Sequence, residues 1–310
     1  RSVDASGHQE IPEGWGLTQW VNREIHAFKP SAITIAEDLQ NNSYLTKSDV
    51  EGGAGFSAQW DANFVHPIRD VITQVHDADR DMQKVRNAMY HNYNNDVFQR
   101  VVYTESHDEV ANGKSRIPSE VDEADPESWF AQKRAALGIA LTLTAPGIPM
   151  LFQGQEILQD GWFQDSEPMP WENAEEHAGI GQLTAKLIRL RRNISGKTKG
   201  LTGQKTEVFH LNNKDKVVAY RRSYESGAGD DVIVIINFAN KHHDNYEFGL
   251  PAGGLWKRRF SSDRKKYSED FGGQASGDIQ AAERAYDGQT HCGIIQLPPY
   301  TALIYSQDPH

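Results

Sequence analysis

The chain has 310 residues, 38% hydrophobic and 24% charged, with a formal net charge of −11. That length holds one large domain or two ordinary ones, and that composition is globular, not disordered. The acidic balance argues against a nucleic-acid backbone or an anionic membrane as main partner, since both need clustered Lys and Arg; a neutral ligand stays open.

Cys292 is the single cysteine, so neither an intrachain disulfide nor a cysteine-based zinc site is available. No stretch reaches the roughly 20 apolar residues of a membrane span. The longest apolar-rich run, "ALGIALTLTAPGIPMLF", is interrupted by Thr142, Thr144, Pro146 and Pro149. The sequence opens on Arg1 instead of Met, which leads to the expectation that its natural start lies upstream.

Leu17, Trp20, Val21, Ile25 and Phe28 recur at helical spacing, and Pro30 ends that helix. "AITIA", 32–36, reads as a strand buried on both faces and ends in Glu37-Asp38. "FSAQW", 56–60, reads as a second strand, with Asp61 at its end. Ile68, Val71, Ile72 and Val75 share one helical face. "RVVYTES", 100–106, is the next strand; residues 129–145 are an apolar helix; "GIPMLFQGQE", 147–156, is a strand ending in Gln155-Glu156. Residues 182–192 form a helix whose basic last turn complements its dipole. Such alternation predicts a parallel sheet with crossover helices.

After residue 200 the pattern changes to short strands set apart by Gly, Asn, Asp and Lys: "EVFHL", "VVAYRRSY", "DVIVIINFA", "YEFGL" and "GIIQLPPYTALIYSQ". Only "DIQAAERAY" suggests a helix there. The expected organisation is an α/β part with a parallel sheet over 1–195, followed by an all-β antiparallel domain over 200–310.

Three strands have an apolar body and an acidic end: "AITIAED", "VVYTESHDE" and "IPMLFQGQE". At the C-terminal rim of a barrel, such ends meet in one pocket. Asp4, Glu37 and Asp108 are the candidate catalytic carboxylates. Retaining glycoside cleavage uses one carboxylate to attack the anomeric carbon and another to protonate the leaving oxygen, while a third can stabilise the oxocarbenium charge. An acid after a strand, taken singly, is more often a helix cap or a surface charge, and Asp38 and Glu109 fit that description; Glu105 and Glu156 are open. His107 and Asp108 have no second histidine at a ligand spacing such as His-x-x-x-His, so no metal site is assigned.

"AITIAEDLQNN", "YTESHDEVANGK" and "APGIPMLFQGQE" resemble consecutive segments of the α-amylase superfamily, glycoside hydrolase family 13. The run "HDEVANGK" with "GIPMLFQGQE" downstream is most similar to the 1,4-α-glucan branching enzymes and their amylase-like relatives. The resemblance implies that Glu37, ending the fifth barrel strand, is the general acid/base and that Asp108, after the seventh, stabilises the transition state. It implies that His107 binds the sugar in the −1 site, that Asp4 in "RSVDAS" is the nucleophile, and that Arg1 is the substrate-site arginine beside it. The family spaces that arginine and aspartate by two residues; here Arg1 and Asp4 are three apart. Against the family, strands one to three and most of four have no counterpart, so the resemblance implies that residues 1–195 are the C-terminal half of a (β/α)8 barrel and that the chain is the later portion of a longer enzyme; alone, a half-barrel exposes a strand edge, an aggregation hazard.

The implied activity is transglycosylation of α-1,4-glucans to make α-1,6 branches. Hydrolysis of α-1,4 bonds uses the same residues with water as acceptor, and a non-catalytic carbohydrate-binding relative is the third alternative. The implied partner is an α-glucan polysaccharide or oligosaccharide; no organic cofactor is implied, because acid/base and nucleophilic chemistry suffices.

Overall fold

The computed structural model describes residues 11–309. The first helix, α1 (Pro12–Phe28), has proline in its opening turn and stops before Pro30. Two short strands follow, β1 (Ile35–Ala36) and β2 (Ala58–Trp60), then α2 (Ala62–Thr73) and α3 (Met82–Tyr90). Next come β3 (Arg100–Val102), α4 (Ile117–Val121), α5 (Trp129–Thr144), β4 (Ile148–Pro149), α6 (Asn173–Glu176) and α7 (Ala178–Arg191). The four strands form one parallel sheet in the order β1-β2-β3-β4. Sequential order with parallel pairing brings all four C-terminal ends to one side.

The second part is antiparallel: β5 (Lys205–Asn212), β6 (Val217–Ser223), β7 (Val232–Asn237), β8 (His243–Leu250), β9 (Leu255–Ser261), β10 (Ile279–Gln280), β11 (His291–Leu297) and β12 (Thr301–Ser306). Six of these make a sheet ordered β10-β9-β12-β7-β6-β5, and β11 pairs with β8 beside it. The continuous apolar run of β7 follows from its position. Ile233 and Ile235 face the β8–β11 pair in one core, while Val232, Val234 and Ile236 join the helices in another. Both faces are covered, so the usual in/out alternation disappears.

Several expectations are corrected here. "AITIA" forms only a two-residue strand, and Ile33 and Ile35 are exposed, because β1 is the sheet's edge and nothing described covers it. α2 ends at Thr73, which leaves Val75 exposed. "GIPMLFQGQE" gives a two-residue strand and then a single 3-10 turn, Gln155–Ile157. "DIQAAERAY" is no helix: Ile279–Gln280 pairs with β9. α3 and β9 are elements that the sequence patterning above does not predict. Among the described residues no helix is long and apolar enough to cross a membrane.

Candidate active site

The parallel register sets the geometry. Ala36 lies opposite Gln59, Trp60 opposite Val101, and Val101 opposite Ile148. Residues just past β1 and β3 therefore converge. His107 Nε2 lies 3.5 Å from Glu37 Oε1 and 3.5 Å from Asp108 Oδ1. All three side chains are about half exposed, open to a ligand at the strand ends. Two predicted catalytic carboxylates and the predicted sugar-binding histidine thus meet in space, from positions about 70 residues apart in the chain. Asp4 and Arg1 lie outside the described residues. The ligand atoms of Glu37, His107 and Asp108 all fall within 4.8 Å of one another, so these are also the groups there that could hold a divalent ion.

Two aromatic residues that sequence reasoning passed over complete the floor. Trp60, at the end of β2, packs edge-on to His107 at 5.9 Å and against Tyr103 at 5.1 Å. Tyr103 is fully buried and its hydroxyl has no hydrogen-bond partner among the described residues. Burial, then the charges of Glu109, Asp61, Glu37 and Asp108, push its ionisation far up, so it remains a neutral donor. The signal for both was only their place at strand ends.

The loop that carries His107 and Asp108 is stapled twice. Arg69 of α2 donates to Thr104 O and Ser115 O, at 2.8 Å each, thereby tying the loop's two ends together. It also pairs with Glu120 at 2.8 Å and approaches Glu109 at 3.7 Å. Glu109 is buried and also receives Lys114 Nζ at 3.1 Å, so it is neither cap nor surface charge. Glu105 accepts from the backbone N–H of Ile117 at 2.8 Å and lies 3.4 Å from Arg116. Burial raises the Glu105 carboxyl, opposed by that N–H and by Arg116. Asp38 accepts from Gln40 N–H at 2.9 Å, the turn role expected for such an acid.

Residues 209–308 match the family model "Alpha amylase, C-terminal all-beta domain". A 1,4-α-glucan branching enzyme, GlgB, of Corynebacterium jeikeium (strain K411) is 26% identical over 298 residues, 91% of this chain and 39% of that protein. The chain is thus similar to α-amylases in its all-β part and to branching enzymes along nearly its whole length. GlgB of Albidiferax ferrireducens is 27% identical, over 98% of this chain and 48% of its own length. The likeness in fold extends to solved structures. An Anoxybacillus α-amylase superposes with TM-score 0.64 at 17% identity, covering 96% of this chain and 56% of its own. A pullulanase from Anoxybacillus sp. LM18-11, solved with maltotetraose, gives TM-score 0.63 at 19% identity, covering 94% and 42%. The chain thus spans about two-fifths of the length of the curated relatives first matched, 39% for the Corynebacterium protein.

Proposed function

We propose that this chain supplies the acid/base and sugar-gripping side of a retaining α-glucan site of the branching-enzyme type. The observation that carries the reading is the meeting of Glu37, His107 and Asp108 at the C-terminal ends of β1 and β3. The four parallel strands are read as the second half of a (β/α)8 barrel, within residues 1–195, followed by the all-β domain over 200–310. In this mechanism Glu37 donates its proton to the glycosidic oxygen as the Asp4 carboxylate attacks C1 and the C1–O bond breaks. Asp108 and His107 hold hydroxyls of the distorted sugar, and Asp108 balances the oxocarbenium charge. Glu37, now ionised, takes the proton of an acceptor hydroxyl, which attacks C1 and releases Asp4. A glucan 6-hydroxyl as acceptor makes a branch, and water gives hydrolysis.

The similarity of both parts to branching enzymes favours the branching reading over the hydrolytic one. The test is linkage analysis of amylose incubated with the protein and with Glu37→Gln. New α-1,6 linkages, lost in the variant, are the expected result. Reducing ends released without branches would make it a hydrolase, and amylose bound but unchanged would leave a carbohydrate-binding relative.

A further inference from the structure

The chain is acidic overall, yet one cavity of about 410 Å³ is lined by Arg258, Arg264, Lys265 and Lys266, with Asp263 and the Gly272-Gly273 turn completing it. It opens beside β9, remote in sequence from the strand ends that carry the candidate active site. We propose that this cavity is a binding site for a phosphate group carried by a small metabolite of sugar-phosphate size.

The cations there are uncompensated. Neighbours on the same strand are neutralised: Lys257 and Arg259 reach Asp308 at 2.5 and 2.6 Å. Arg258, Arg264, Lys265 and Lys266 have no carboxylate within 4.0 Å among the described residues. Asp263, the one acid in the lining, is already spent: it takes Lys133 Nζ at 2.8 Å and the N–H groups of Gly272 and Gln274 at 3.0 and 3.3 Å. Asp278 binds the backbone N–H of Arg258, not its guanidinium.

Arg258 is also held in place. Its Nη1 donates to Ala275 O at 2.7 Å and to Ser276 O, whereas its Nε and Nη2 donate to nothing among the described residues. A fixed guanidinium with spare donors suits the oxygens of a phosphate. Burial lowers the Lys266 ammonium, and the neighbouring charges of Arg264 and Lys186 add to that. Several cations on one cavity select a multiply charged anion over a carboxylate, and the volume exceeds a phosphate ion and leaves room for a sugar.

Titration calorimetry of the protein with glucose 1-phosphate, inorganic phosphate and glucose decides this. Saturable binding of glucose 1-phosphate is expected, with none for glucose. Arg264→Gln with Lys266→Gln should weaken it about tenfold or more, since two charges near a dianion are lost. Both side chains are exposed, so the fold is not at risk. Lys199→Gln with Lys205→Gln removes the same charge elsewhere and should leave affinity unchanged. Inorganic phosphate binding as tightly as the sugar phosphate would keep the phosphate site and name free phosphate as its ligand. No saturable binding by either phosphate, or equal loss in both double variants, would overturn the proposal.

Discussion

Asp61 sits wholly buried at the head of α2, where Oδ1 accepts from Asn63 N–H at 2.9 Å and Oδ2 faces His91 Nδ1 and Arg100 Nη1 at 3.0 Å each. Glu37 also follows a short parallel strand, but it is half exposed and meets only His107. Burial separates the structural acid from the candidate catalytic one, and burial depends on residues far away in sequence. Asp61→Asn removes the carboxylate facing Arg100, leaving it only carbonyls such as Ala88 O and Pro146 O, in a site where burial already lowers the guanidinium's proton affinity. A loss of about 3 kcal/mol is expected, read as a lower Tm. Glu37→Gln should shift stability by less than about 0.5 kcal/mol while abolishing any turnover. A third acid reports through pH. For Asp230, burial favours the neutral form but is outweighed by N–H donors from Tyr224, Ser226 and Glu225, which hold its carboxyl below the usual value. A depressed native value means the stabilisation is full above the unfolded value of about 3.9 and is lost as pH falls through the native one. Asp230→Asn should therefore cost about 1–2 kcal/mol at neutral pH and flatten the acid limb of the stability curve, measured by urea unfolding from pH 2 to 7.

At the scale of elements, the loop after β3 depends on helix α2 for its shape. Arg69 binds carbonyls at both of its ends, and the Glu105–Arg116 pair closes it a second time. Arg69→Met orphans both carbonyls and leaves Glu109 and Glu120 without their shared partner. A cost of about 3 kcal/mol is expected, together with faster amide hydrogen exchange through 106–114. Exchange confined to α2 would show that the loop holds its own shape. Arg134→Met is the matched control, since Arg134 binds Ile72 O and Gln74 O away from this loop. None of the clamp was legible in the sequence: Arg69 lay inside a helix read only for its apolar face. "AITIA", "VVYT" and "GIPM" did announce the sheet, because β-branched apolar runs ending in acids are specific in both period and chemistry. Their lengths were overread: β1 and β4 span two residues each and β3 three. α3 was missed although Met82, Val85, Ala88 and Met89 follow helical spacing, because Gln83, Lys84, Arg86 and Asn87 dilute the run. "DIQAAERAY" misled in the other direction: its alanines favour helix, but Ile279 is drawn into the β-domain core beside Trp256.

Across the whole molecule, the helical and β parts share one apolar core in which Leu137, Ile139 and Leu187 meet Val234, Phe260 and Ile304. Buried polar bonds cross the same boundary: Lys133 to Asp263 at 2.8 Å, Arg222 to Thr144 O at 2.6 Å and Lys216 to Arg80 O at 2.7 Å. This joint predicts a single cooperative unfolding transition for both parts. α1 stands apart from that unit. The side that faces the protein is mostly polar: Gln19 and Asn22 donate to Gly53 O and Ala54 O at 2.8 Å each, Arg23 reaches Asp49 at 3.2 Å, and of its apolar residues Trp15 packs on the small cluster of Ala36, Leu45 and Ala54. Its apolar side, with Leu17, Trp20, Val21 and Phe28, faces outward, and Phe28 is 93% exposed. The spacing that announced this helix is therefore real, but the face it marks has no cover among the described residues. Hydrogen bonds to loop carbonyls are worth about 1 kcal/mol each, far less than a packed apolar stripe. α1 should thus open locally, its amides exchanging well before those of α5, and its outer face should bind a hydrophobic dye such as ANS. Leu17→Gln, Trp20→Gln and Phe28→Gln together should remove most of that dye signal and leave Tm unchanged. A fall of several degrees in Tm would mean that the face is packed in solution, and that α1 belongs to the cooperative core after all.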